Sequence, residues 1–248
     1  MSRLLWSEFT REELRAQAPG ATLLIPVAAT EQHGPHLPTG TDTYICTAVA
    51  TRVASALTGR VPVVVAPTLP FGYSAHHQAF AGVLTLSAAT MTAVLGELGD
   101  SAVRSGFRRI FYLNAHGGND EMIRVAARGL ALANPVRVAA ASYWSIAGPA
   151  LEAEGLENVP GHAGLFETSL IQTLHAELVR ADKRPSVTLG RLQPASPGVF
   201  AAQSAQDFAR IGGYTDPADA SSGALGERLL AVIVREVAAV LAAFHEVD

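Results

Sequence analysis

Short apolar runs alternate with longer amphipathic ones from residue 21 to the C-terminus, and this alternation constrains the fold more than any other feature of the chain. ATLLIPVAA (21–29), VPVVVAPTL (61–69), RRIFYLNA (108–115) and VRVAAASYW (136–144) read as strands. They are apolar almost throughout, as strands buried on both faces are. YICTAVATRVASAL (44–57), SAATMTAVLGELGDSAVRSG (87–106), NDEMIRVAARGLALAN (119–134), AGLFETSLIQTLHAEL (163–178) and GERLLAVIVREVAAVLAAFHE (226–246) read as helices. Ser87 is a good N-cap, and Asp120 and Glu121 lie in a first turn, where the helix dipole favours acids. Strand–helix–strand order predicts an α/β fold with a mainly parallel sheet and helices on both faces. Residues 185–224, rich in Pro, Gly and Ser, are expected to form a loop-dominated excursion. With 248 residues, 49% of them hydrophobic, the chain suits one domain spanning 1–248.

Composition narrows the function. The net charge is −4 and no Lys/Arg run stands out, so neither nucleic acid nor an anionic membrane is expected as a partner. Cys46 is the single cysteine, which fits a reducing compartment. The start, MSRLLWSEFTREELRAQ, lacks the apolar stretch of a signal peptide, and no apolar run reaches the length of a membrane span. A cytoplasmic protein is expected.

In a parallel sheet, ligands bind beyond the carboxyl ends of the strands. Glu31-Gln32-His33, followed by Asp42, comes just after the first strand, and FGYSAHHQAF (71–80) after the second. NAHGGND, with His116, follows the third strand; GHAGLFE, with His162 and Glu167, stands at a loop-to-helix junction. Residues i and i+2 of extended backbone point the same way, so Glu31 and His33 reach one site. The intervening glycines and prolines prevent helix and form a loop that brings Asp42 back to it. Carboxylates with imidazoles suit Zn, Mn or Fe, and a carboxylate bridges two ions. A single loop histidine is more often solvated or a local hydrogen-bond partner; four metal-capable residues gathered at strand ends outweigh that reading. His36 reads as a supporting loop residue, and His175 and His245 as structural or solvated. His76-His77 divides evenly between substrate wall and loop packing. No G-x-S-x-G elbow is present and Cys46 falls in a helix pattern, so activated water is favoured over a side-chain nucleophile. The glycines of NAHGGN match neither phosphate-binding fingerprint.

Together TEQHGPHLPTGTD (30–42), NAHGGN (114–119) and GHAGLFETS (161–169) resemble the creatininase (creatinine amidohydrolase) family; GYSAHHQAF and GGYTDPADAS (212–221) are similar to weaker family segments. The resemblance runs from about residue 20 to 245. It implies a three-layer α/β/α sandwich and a hydrolase with two divalent ions per subunit, Zn and/or Mn, with Fe as a further choice. It also implies a homo-oligomer, a hexamer foremost. By position it implies Glu31, His33, Asp42 and His116 as metal ligands, Asp42 as their bridge, and His162 in proton transfer. Creatininases proper resemble H-Y-E where this chain reads His116-Gly117-Gly118. The missing carboxylate is expected from Glu167, which makes Glu167 a fifth ligand, and the departure points away from creatinine itself. Ser74, His77 and Gly117 are expected substrate contacts. The function implied is hydrolysis of a C–N bond in a small, cyclic or formyl amide by a metal-bound hydroxide. The alternatives are a peptidase of a mycofactocin-type maturation pathway and a non-catalytic metal-binding scaffold.

Overall fold

Every residue of the first strand is buried, and its successive side chains divide between two apolar clusters on opposite faces. The computed structural model describes residues 3–156, 158–190, 192 and 199–247. In chain order the elements are α1 (Arg11–Gln17), β1 (Thr22–Val27), α2 (Thr41–Ala56), β2 (Val63–Val65), α3 (Ala88–Arg104), β3 (Arg109–Asn114), α4 (Asp120–Ala133), β4 (Arg137–Ser142), α5 (Tyr143–Glu152), α6 (Leu165–Leu174), α7 (Ala205–Arg210) and α8 (Gly223–Glu246). Leu24, Phe111 and Leu113 face a cluster built with α2, α5, α6 and α8. Leu23, Ile25, Ile110 and Tyr112 face one built with α1, α3 and α4. Each buried aliphatic side chain contributes about 1.5–3 kcal/mol, so two filled faces make this a three-layer α/β/α sandwich.

The sheet order is β2-β1-β3-β4, all parallel. Val27 pairs with Asn114 and Asn114 with Ser142, so β1, β3 and β4 end level. That common edge is where the polar motifs leave the sheet. No helix among the described residues is long and apolar enough to cross a membrane.

Several boundaries differ from expectation. β2 keeps only Val63–Val65 of the expected 61–69, because Pro62 and Pro67 lack the N–H that a longer ladder needs. β4 stops at Ser142, and Tyr143-Trp144 open α5, a helix the sequence did not suggest because aromatics favour strands. α6 ends at Leu174, so His175 is a helix end rather than mid-helix; its ring lies 4.4 Å from that of Tyr44. α2 starts at Thr41, which puts Asp42 in the first turn of a helix instead of in a returning loop. Within the expected excursion at 185–224, Ser204 and Asp207 form a capping box that starts α7; residues 191 and 193–198 lie outside the described residues.

Candidate metal centre

Asparagines knit the loops at the carboxyl edge of the sheet. Asn114 ends β3, and its side-chain oxygen accepts from His116 N–H (3.1 Å) and from the Asn119 amide (3.1 Å). Asn119 also donates to Ala28 O (3.1 Å), beyond β1, and accepts from Tyr73 N–H (2.9 Å), beyond β2. Three strand-end loops are thereby fixed to one another.

Glu31, His33, Asp42, His116, His162 and Glu167 converge there, all buried. His116 Nδ1 lies 3.2 Å from Glu31 Oε1 and 3.4 Å from Asp42 Oδ2. On the other side of Asp42, His33 Nε2 lies 3.1 Å from Asp42 Oδ1 and 3.7 Å from Glu167 Oε2. Among the described residues four three-residue groups bring donor atoms within 4.8 Å of one another: Glu31/His33/His162, Glu31/His76/His77, and two that share Asp42, Glu31/Asp42/His116 and His33/Asp42/Glu167. Metal–ligand bonds of about 2.0–2.1 Å in tetrahedral geometry place donors roughly 3.3 Å apart, close to these spacings.

Hydrogen bonds assign the imidazole nitrogens. His33 Nδ1–H donates to the backbone oxygen of Glu31 (3.2 Å), leaving Nε2 for the carboxylates. His116 Nε2–H donates to Tyr73 O (3.1 Å), leaving Nδ1 for Glu31 and Asp42. Each histidine thus aims one nitrogen inward at the carboxylates and anchors the other on a carbonyl, as metal-ligating histidines do. Glu31 Oε1, Glu31 Oε2 and Asp42 Oδ2 are buried with no hydrogen-bond partner. The nitrogens of His77 and His116 approach Glu31 Oε1 to 3.2 Å each, but off the line a hydrogen bond requires. Unsatisfied carboxylate oxygens in a dry site are costly, and a divalent cation satisfies them. The donor set therefore fits divalent metal.

Burial works against charge throughout the site. It would depress His33, yet the Asp42 and Glu167 carboxylates outweigh it and raise His33 to about 10. It would raise the Glu31 carboxyl, yet the imidazoles of His116 and His77 hold it well below the usual range. For Glu167 burial prevails and moves the carboxyl up to about 8. His162 is pushed well below the ordinary imidazole value, by burial first and then by His77 and His33. Ala163, at φ 51°, aims its N–H at Glu167 Oε2 (2.6 Å) and holds that carboxyl in place.

Other expected residues fall elsewhere. Ser74 Oγ is turned to His116 Nε2 (3.3 Å) and is fully buried, where it braces that imidazole. His77 borders the pocket, but its Nδ1 meets the Gln32 amide (2.9 Å) and its Nε2 faces Glu31. Gly117 borders the pocket with open space around it. Glu167 lies with His33 and Asp42 in one of the donor groups, where a replacement carboxylate is expected. A side chain at Gly118 has no room: its Cβ would lie 2.2 Å from Tyr73 O and 2.8 Å from His76 Cε1. His36 donates from or accepts at Nε2 with Thr168 Oγ1 (2.8 Å), bracing the helix that carries Glu167. His245 Nδ1 meets Thr22 Oγ1 (2.9 Å), far from this edge. Gln32, Asn114, Asn119, Thr215 and Asp216 escaped the sequence reading; their only signal is a polar side chain next to a motif histidine or glycine. The pocket over the site has a volume of about 750 Å³, with Trp144, Met122, Phe208 and Glu121 among its walls.

The family model for creatininase, described as creatinine amidohydrolase, matches residues 7–241. The chain is 38% identical over 167 residues to a mycofactocin precursor peptide peptidase of Mycobacterium ulcerans, covering 65% of this chain and 62% of that protein. It is 34% identical over 200 residues to the creatinine amidohydrolase of Pseudomonas putida, covering 74% of each. A crystal structure of creatinine amidohydrolase superimposes with a TM-score of 0.84 at 28% identity, over 100% of both chains. Creatininase structures in a manganese and a Zn-Zn form give TM-scores of 0.77 and 0.81, each at 30% identity over 97% of this chain and 98% of theirs.

Proposed function

The chain belongs to the creatininase family of metal-dependent hydrolases, and from that premise we propose that it cleaves an amide C–N bond of a small cyclic or formyl amide at the carboxyl edge of its sheet. The observation that carries the proposal is the pair of donor groups sharing Asp42, with three carboxylate oxygens that no hydrogen bond satisfies. Glu31, Asp42 and His116 would hold one divalent ion and His33, Asp42 and Glu167 the other. Bound ions of this kind supply Lewis acidity and activate water at neutral pH.

The chain's own residues do the rest. Burial excludes bulk water, so charge that develops at the carbonyl is weakly screened. His162 stands neutral at the pocket floor, with Nδ1 3.7 Å from Glu31 Oε1. From there it takes up the proton released on attack and returns it to the leaving nitrogen. Gly117, with no side chain, leaves the wall beside His116 open to the substrate.

A second reading, cleavage of a peptide bond, is favoured by one observation. The pocket volume of about 750 Å³ exceeds what a small cyclic amide needs. Metal analysis of the purified protein, followed by a panel of cyclic amides, formyl amides and short peptides with the metals restored, separates the readings. Turnover of amides with two ions bound is expected. Turnover of peptides alone would move the function to the peptidase reading, and tight metal binding without turnover would leave a scaffold.

A further inference from the structure

Gln32, between two proposed metal ligands, is 6% exposed and touches four partners with one amide. Its Oε1 accepts from Gly34 N–H (2.9 Å), which orients the amide group. Its Nε2 then has two protons and three neighbours: Gly213 O (3.0 Å), His77 Nδ1 (2.9 Å) and His162 Nε2 (3.0 Å). Gly213 O only accepts, so it takes one proton. His162 Nε2 also lies 2.9 Å from the backbone oxygen of Gln32, likewise only an acceptor. A bare Nε2 would face that oxygen lone pair to lone pair, so His162 carries its proton on Nε2 and donates it to Gln32 O. The second amide proton goes to His77 Nδ1. By elimination His77 carries its own proton on Nε2, facing Glu31 Oε1, and His162 presents a bare Nδ1 to the pocket.

We propose that Gln32 is the positioning residue of the site: its amide sets the tautomer of His77 and holds the Gly212–Gly213 turn, and its backbone oxygen sets the tautomer of His162, while the 3.0 Å approach of its Nε2 to His162 Nε2 carries no hydrogen bond. A metal at His77 Nε2 would shift the ring proton to Nδ1 and break the bond from the Gln32 amide, which sets His77 apart from the other ligands although Glu31, His76 and His77 bring donor atoms within 4.8 Å of one another. His162 is fixed as a group that must accept a proton at Nδ1 before it can give one. The turn explains the late GGYTDP segment. Gly213 has φ 77°, and a Cβ there would lie 2.5 Å from Gln32 Oε1, so only glycine admits the amide. Two residues on, Thr215 Oγ1 accepts from His162 N–H (2.7 Å), and Thr215 N–H donates to His162 O (2.9 Å). The histidine is thus gripped at its ring by Gln32 and at its backbone by Thr215.

The meaning for catalysis rests on His162 as proton carrier; the tautomer assignment does not. The test is ¹⁵N NMR of histidine-labelled protein, zinc-loaded and metal-free, with His77 and His162 assigned through His77→Asn and His162→Asn. Both rings are expected as Nε2–H tautomers in the unaltered protein. In Gln32→Glu, which replaces the amide donor by an acceptor, His77 is expected to change to Nδ1–H while bound zinc stays the same. An Nδ1–H tautomer at either ring in the unaltered protein would overturn the proposal, and so would a His77 tautomer indifferent to Gln32→Glu. Expected tautomers together with full turnover in His162→Asn would sink the proton-carrier reading and leave Gln32's positioning role standing.

Discussion

At the residue scale the site is organised by Asp42, whose two oxygens face different histidines, 3.1 Å from His33 and 3.4 Å from His116. Asp42→Ala should therefore remove both ions, and Glu167→Gln should weaken only the His33 side. The loss for Asp42→Ala should exceed the roughly 10–100-fold that follows from losing a supporting partner of a ligand. Metal content per chain after dialysis reads this directly; two ions retained in Asp42→Ala would remove the bridging assignment. His33 adds a pH dependence. Its folded, ion-free value is about 10, above the ordinary imidazole value. The stability it lends the ion-free fold is complete below about 6.5 and is lost as pH rises through about 10. A ligand must be deprotonated, so metal binding at pH 7 expels this proton and tightens as pH rises. The gap in melting temperature between metal-loaded and metal-free protein should widen from pH 6.5 to 9. A constant gap, with no proton release in calorimetry across buffers of different ionisation enthalpy, would contradict the ligand role of His33.

At the element scale the decisive feature is how α6 begins. Its cap position is Gly164, which has no side chain to offer the helix. Asp216, far along the chain, supplies the carboxylate: Oδ2 accepts from Leu165 N–H (2.9 Å), and Oδ1 accepts from Asn158 (2.8 Å) and Thr215 (2.7 Å). A Cβ at Gly164 would lie 2.1 Å from that carboxylate, which explains the glycine of HAGLFE. Negative charge at a helix N-terminus is favourable, and losing a cap costs about 0.5–2 kcal/mol. Asp216→Ala should lower thermal stability by about 1–2 kcal/mol, on the order of 2–8 °C for a domain of this size. It should also weaken metal binding on the Glu167 side, because α6 carries that ligand. An unchanged melting temperature would show that α6 does not depend on this remote cap.

At the scale of the whole molecule, two apolar faces close on one sheet, and Cys46 lies at the junction. It is fully buried on α2, with Sγ 3.6 Å from Val27 O and 3.5 Å from Leu113 O. Burial raises its thiol far beyond the ordinary range. If residues 1–248 unfold as one unit, a thiol reagent should modify Cys46 only at the rate of global unfolding, in step with loss of circular dichroism. Faster labelling in native buffer would reveal a part that opens alone. Much of this architecture was legible in the sequence. The four strands, most of the helices and the parallel order follow from continuous apolar runs, because a strand buried on both faces has no choice but to be apolar. Glu31, His33, Asp42 and His116 could be grouped because loops at strand ends converge wherever strands are parallel and level, whereas His162 and Glu167, at a loop-to-helix junction, took their expected roles from the family resemblance. What the sequence could not determine is which nitrogen, which oxygen and which neighbour. Ser74 became a brace, His77 a ring committed to Gln32 and Glu31, and Glu167 a companion of His33, because hydrogen-bond donors and acceptors are apportioned among groups up to 181 residues apart in the chain. Gln32 and Asp216 matter through partners that only the folded chain brings within 3 Å, and no local pattern encodes such a distance.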